Sequence, residues 1–292
     1  MKMFALLAAS ILFLAQAYGA ELETTIADLE EGDRRDDYVL VKAEAEGKAL
    51  WAEGRDRDLI AAFRIAAANG QTVKLTYNRS DRVIYGAELL ELPTNAVMER
   101  GFANVPNPLD PAFQFTVIPD LATAQALWQS LDGRTKHNSQ CYNRAHGWAY
   151  DMFSRRGIKS GKAFIFFTSK YIRQHDYEWW FHVAPYVMVQ TENMSLEHVL
   201  DRKFSRGPRN LRAWTNIFMY NDALCPEVTK YSDYRRNQQA EWCYLIKTSM
   251  FFRSPRDIEN LEKLGTMRTE FSIPQVRASR RQAFSNWRQY NP

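Results

Sequence analysis

The sequence predicts an α+β protein of two units. Three observations carry that expectation: strand-period and helix-period patterns alternate along the chain, a proline-rich joint interrupts them, and the segments on either side of the joint have opposite net charge. Between Gly101 and Ala112 the chain reads GFANVPNPLDPA, with Pro106, Pro108 and Pro111 within six positions. That composition suits an extended linker, set at 105–111, and not a helix or sheet interior. Residues 1–111 hold 12 Lys+Arg and 18 Asp+Glu, net −6, and residues 112–292 hold 26 and 16, net +10. At 46% hydrophobic and 13% aromatic residues, both segments can build packed cores, which excludes a disordered chain.

In chain order, Met1 and Lys2 precede an uncharged run from Met3 to Ala17, with small residues at Ala15, Ala17, Gly19 and Ala20. This is the layout of a secretory signal peptide over 1–20, cut after Ala17 or a few residues later, and it sends the protein to the periplasm or the cell exterior. The run is shorter than the roughly 20 residues that span a bilayer, so no membrane partner is expected. Residues 21–104 open with the acidic stretch Glu21 to Asp37. A strand over DYVLVKAEA, a helix over RDLIAAFRIAAANG ending on Gly70, and strands over QTVKLTYN and RVIYGAELLEL follow. A small α+β unit without a catalytic cluster results. It reads equally as a pro-domain or as an accessory domain that stays attached; the opposite charges favour docking on the second half.

Residues 112–292 form the second unit. LATAQALWQSL predicts an amphipathic helix with Leu121, Ala124, Ala126, Leu127 and Leu131 near one face. A polar loop leads to a helix that opens at Cys141 and stops at Gly157. KAFIFFT and WWFHVAPYVMVQ read as strands, SLEHVLD as a strand or extended segment closing on Asp201, RAWTNIF as a helix start and DIENLEKLG as a helix. A basic tail follows with Arg277, Arg280, Arg281 and Arg288, and no acid occurs after Glu270. The tail reads as a solvated face and not as a nucleic-acid site.

Three cysteines are present. In an oxidising compartment an odd count leaves at least one thiol over. The simplest pairing joins Cys225 to Cys243 across a short loop and leaves Cys141; the alternative is that all three are reduced and buried. Cys141 lies in the first turn of its helix, where free backbone amides and the helix dipole favour an anion, so its thiol is placed to act as a thiolate. His182 sits on a strand whose alternation puts Trp180, His182, Ala184 and Tyr186 on one face. Asp201, closing the next segment, is placed in sequence to orient the imidazole. Spacing only suggests this, because a strand histidine is more often a packed core residue than a base. His146 lies about 140° around the helix from Cys141 and should not share its face. His137, His175 and His198 lack metal-ligand spacing, and no metal or organic cofactor is called for. Trp179 and Trp180 are candidates to line a substrate groove.

The local words narrow this. CYNRAH at 141–146, WFHVAPYV at 180–187 and VLDRKFSRGPRNLRAW at 199–214 resemble the protein glutaminase family, secreted enzymes that deamidate glutamine side chains in intact proteins. The likeness runs from about Phe115 to Pro255. It implies a papain-like and transglutaminase-like core, with Cys141 as nucleophile, His182 as general base and Asp201 as its orienting partner. It also implies an N-terminal pro-region that masks the site until a processing protease removes it, which favours the pro-domain reading of 21–104. The oxyanion would be held by backbone N–H groups near the helix start, at Gln140 and Cys141. Two features depart from the family: the cysteines are few, and the tail beyond Pro255 has no counterpart. The same triad would also serve transglutaminase-type acyl transfer or papain-like proteolysis, and the fold could serve as a non-catalytic binding module.

Overall fold

A computed structural model describes residues 19–31, 37–69, 71–90, 102–104, 113–192, 194–220 and 222–287. The chain divides into two compact units, 1–98 and 99–292. Residues 1–18 of the expected signal peptide and the whole 105–111 linker lie outside the described residues.

The first unit is a five-stranded antiparallel sheet in the order β3-β2-β1-β4-β5 with one helix on it. Its elements are β1 (Gly19–Glu31), β2 (Tyr38–Ala43), β3 (Ala49–Glu53), α1 (Arg57–Asn69), β4 (Thr72–Asn78) and β5 (Ile84–Leu89). The acidic opening hides the central strand. Ala20, Leu22, Thr24 and Ile26 are buried while Glu21 and Glu23 between them are exposed, a period of two that places the acids on the open face. Gly19 and Ala20, the last residues of the expected signal span, pair with Asn78 and Tyr77 in this strand. The Asp56 carboxylate accepts from the Leu59 N–H at 3.1 Å and starts α1, whose Ile60, Phe63 and Ala66 are buried. A bridge between Trp51 and Val83 joins β3 to the residue before β5 and curls the sheet upon itself.

The second unit contains β6 (Phe102–Asn104), β7 (Val117–Ile118), α2 (Leu121–Ser130), α3 (Cys141–Arg156), β8 (Gly161–Phe167), α4 (Ser169–His175), β9 (Phe181–Gln190) and β10 (Ser195–Val199). It continues through β11 (Arg209–Asn210), α5 (Leu211–Thr215), α6 (Tyr231–Arg236), β12 (Cys243–Ser249), α7 (Pro255–Leu264), β13 (Thr266–Arg268) and α8 (Ile273–Ala283). Strands run β11-β10-β9-β8-β12, and β7 lies parallel to the end of β9. Helix α3 crosses β9, and α2, α3, β9 and the end of α8 share a core through Leu127, Trp148, Met152, Val187, Val189 and Phe284.

Two expectations are corrected here and one strand is added. In α2, Ala124, Leu127 and Leu131 are buried at i, i+3 and i+7, but Ala126 and Leu121 are exposed. Ala126 stands two residues from Ala124, on the opposite side of the helix, and Leu121 is in the first turn. Strand β12 was not expected; it pairs with β8 from Cys243↔Phe167 to Ser249↔Gly161. The basic tail is not a solvated face throughout, because it forms α8, where Arg280 is buried and ion-paired with Asp151 of α3. Arg277 and Arg281 are exposed on the outer side, and Arg288 lies outside the described residues.

Candidate active site

Helix α3 is bounded at both ends by local chemistry. Gly157 adopts the left-handed conformation at φ 65°, its N–H reaching Phe153 O at 2.8 Å and Ile158 N–H reaching Met152 O at 3.2 Å, a glycine-terminated Schellman closure. At the other end Gln140 is the extended cap residue and no side chain caps the helix. Cys141 opens the first turn at that uncapped, dipole-positive end.

The sheet brings the partners to it. Ile165↔His182 sets the register of β8 on β9, and Val199↔Tyr186 sets β10 on β9, so Asp201 emerges beside His182. A tight turn fixes it: Ser205 N–H and Oγ both donate to the Asp201 carbonyl, at 2.9 and 2.8 Å. His182 Nε2 and Asp201 Oδ2 are 2.7 Å apart, and Cys141 lies near enough to His182 to favour its charged form. All three side chains are buried.

Burial acts on His182 first, favouring the neutral ring. The Asp201 charge and hydrogen bond, with Cys141, outweigh it and raise the imidazole above its free value of 6.5. Burial would likewise raise Asp201, but the His182 charge and hydrogen bond, the Trp214 N–H and the Arg144 charge hold it below 3.8. An ionised carboxylate under a protonatable ring is the arrangement that keeps one tautomer and orients it.

Residues beyond the candidate triad complete the surroundings. Trp214 Nε1 donates to Asp201 Oδ2 at 3.0 Å. Phe204, Phe218 and Trp214 enclose the His182 ring at centroid distances of 4.9, 4.6 and 5.8 Å. Asn143, fully buried, donates to the side chains of Gln140 and Gln282 and accepts from Arg253 at 2.7 Å, tying the first turn of α3 to α8. Arg144 donates to the Ser139 carbonyl and to Ser139 Oγ at 2.8 Å, fixing the loop ahead of the cysteine. His146 points elsewhere, to Lys162 Nζ at 2.9 Å.

Of the groove candidates, Trp179 is half-buried with its ring 6.3 Å from His182. Trp180 is corrected: it is fully buried, packed on Phe181 at 4.6 Å and Phe166 at 6.0 Å, and lines no surface. It alternates away from Trp179 and into the core. His137 is exposed; His175 stacks among Tyr171, Tyr220 and Trp242; His198 is on β10. Among the described residues no group of three or more His, Cys, Asp or Glu could hold a metal ion. Cys225 and Cys243 are disulfide-bonded and Cys141 is free.

A thiol, an imidazole and a carboxylate in sequence on an α+β scaffold can carry out acyl transfer from an amide through a covalent adduct. A family model described as glutaminase matches residues 126–218, the segment holding Cys141, His182, Asp201 and Trp214. Two solved structures are similar over most of the chain. One is a crystal structure of pro-protein-glutaminase, 16% identical, covering 88% of this chain and 90% of that one at TM-score 0.52. The other is a mutant of pro-protein-glutaminase, 15% identical, covering 88% and 97% at TM-score 0.51. No curated protein matches. The family match and the fold together support the protein glutaminase family. Coverage of 88% is a span longer than residues 99–292, so the shared fold extends into the N-terminal unit.

Proposed function

We propose that this protein is an exported protein glutaminase that hydrolyses the side-chain amide of protein-bound glutamine to glutamate and ammonia through a Cys141 thioester. The observation that carries the reading is the buried cluster of Cys141, His182 and Asp201, with His182 Nε2 2.7 Å from Asp201 Oδ2 and Cys141 acting on the same ring, within the segment matched by the glutaminase model. Cys141 Sγ attacks the carboxamide carbon, and the tetrahedral oxyanion is stabilised by backbone N–H groups at Gln140 and Cys141, at the uncapped start of α3. The C–N bond breaks as the His182 imidazolium gives its proton to the departing nitrogen, releasing ammonia and leaving the thioester. His182 then takes a proton from water, hydroxide adds to the thioester carbonyl, and glutamate and the Cys141 thiolate separate. Asp201 keeps the ring in register throughout, and Trp179 borders the entrance. No helix among the described residues is long and apolar enough to cross a membrane, and export rests on the signal peptide at 1–20. Residues 21–104 act as an intramolecular inhibitor that a processing protease removes by cutting within 105–111, in the periplasm or outside the cell.

The test is ammonia release from casein by the full chain, by the chain nicked near Ala112, and by Cys141→Ala. Activity confined to the nicked chain and abolished by the substitution is the expected result. Silence from all three with an intact circular dichroism spectrum would overturn the reading; ammonia accompanied by crosslinks would turn it toward acyl transfer to lysine, and new termini without ammonia toward proteolysis.

A further inference from the structure

The turn that fixes Asp201 has a second, outward side. From 201 the sequence runs DRKFSRGPRNLRAW. Its inward residues are already assigned: Phe204 against His182, Ser205 bonded to the Asp201 carbonyl, and Trp214 bonded to the Asp201 carboxylate. Arg202 is used structurally, donating to the Gln129 and Leu131 carbonyls and lying over Trp128. Lys203, Arg206, Arg209 and Arg212 recur at every third position and all four are exposed. None has a carboxylate partner among the described residues. Arg212 also borders an open cleft of about 440 Å³ with Asn210, Ala213 and Asn216.

From these positions we infer that Lys203, Arg206, Arg209 and Arg212 form a recognition rim that selects glutamines flanked by acidic residues in the substrate polypeptide. The inference rests on the deamidase reading for the chemistry but not for the binding. Four unpaired cations on a scattered surface would be a solvated face. Here Lys203, Arg206 and Arg212 stand one or two residues from Phe204 or Trp214, which touch His182 and Asp201, and Arg209 pairs with Val199, two residues ahead of Asp201, so a peptide presenting its glutamine to Cys141 lays its neighbours beside them. Cations in high dielectric act through long-range attraction, which raises encounter and lowers KM and leaves the chemical step unchanged. Screening by salt follows directly.

The experiment uses the full chain nicked near Ala112 and two labelled peptides, one with a single glutamine among glutamates and a twin with serines in their place. Fluorescence anisotropy on Cys141→Ala should show the acidic peptide bound roughly 10-fold tighter at about 20 mM salt, with the ratio falling toward one at about 0.5 M salt. Lys203→Gln, Arg206→Gln, Arg209→Gln and Arg212→Gln together should remove the preference, and the corresponding Arg→Lys changes should keep it. Equal binding of the two peptides at low salt would overturn the rim, as would a preference that survives in the Gln variant. Ammonia release by the chain that retains Cys141 is read separately. Equal kcat/KM on both peptides would overturn selection at the rim. Absence of release from either, with the binding preference intact, would sink the deamidase reading and leave an acidic-peptide surface standing.

Discussion

His182 stands between burial, which favours its neutral form, and Asp201, which favours the charged one, and the balance sets how the site responds to pH. Because its folded value lies above 6.5, His182 stabilises the native state fully below pH 6.5, and that contribution is lost as pH rises through the raised value. Asp201 is held below 3.8, so its contribution is present above 3.8 and lost as pH falls through the lowered value. Changing Asp201→Asn removes the charge and leaves only a neutral amide oxygen as acceptor, and the His182 titration followed by NMR should move to lower pH; an unmoved titration would mean that Asp201 is not the group holding the proton. His146 runs the other way. Burial first, then the Lys162, Arg253 and Arg268 charges, keep its ring well below 6.5, so the unfolded ring takes up a proton that the folded one refuses and stability falls as pH drops below 6.5. Trp214 offers a sharper test of positioning. Trp214→Phe keeps an aromatic ring beside His182 but deletes the N–H to Asp201. A hydrogen bond to a charged group is worth about 1.5–3 kcal/mol, so kcat should fall roughly 10- to 100-fold with KM little changed and with the His182 titration displaced. Loss confined to thermal stability would make Trp214 a core residue only. Cys141, His182 and Asp201 could be named from their local words, whereas an indole that donates to a carboxylate reads in sequence like any packed tryptophan.

Element by element, the second unit depends on close approach between β8 and β9, and Gly161 is a point where that approach leaves no room for a side chain. It pairs with Tyr186, and a Cβ at Gly161 would lie 2.3 Å from the tyrosine ring. Gly161→Ala should therefore lower stability by about 1–3 kcal/mol or more through overpacking, measured by denaturant unfolding. Combining it with Tyr186→Leu should recover part of the loss; no loss in the single variant would show that the strands can part cheaply. Helix α3 was legible because its signals are local: a glycine closes it at 157 and a polar loop precedes Cys141. Strand β1 was not, because its acids mask a period-two pattern of small and apolar residues at 20, 22, 24 and 26. Helix α8 was hidden for a different reason. Its anchoring contact, Arg280 with Asp151, joins residues 129 apart, and a buried arginine is indistinguishable in sequence from a solvated one until its partner is placed.

At the scale of the whole molecule, the free Cys141 stands apart from the two cysteines that are joined. Cys225 and Cys243 are joined across 18 positions, and the loop between them carries α6, whose Tyr231 and Tyr234 pack on Phe166 of β8. Cys243 pairs with Phe167 at the end of that strand, so the staple braces β8 and β12 and touches none of Cys141, His182 or Asp201. Closing a loop of this size restricts the unfolded chain by about 3 kcal/mol. In a unit of this length each kcal/mol moves the melting temperature by about 2–4 °C, so changing both Cys225→Ser and Cys243→Ser should lower Tm by roughly 6–12 °C. Ammonia release at a temperature well below the transition should be unchanged in the same variant, while Cys141→Ser should abolish release and leave Tm close to its starting value. On the proposed reading the two effects separate along the chain: one pair of cysteines sets how long the fold survives, and the third carries the chemistry. A large fall in kcat on removing the disulfide, measured well below its melting point, would overturn that division and place the α6 loop in the service of the active site.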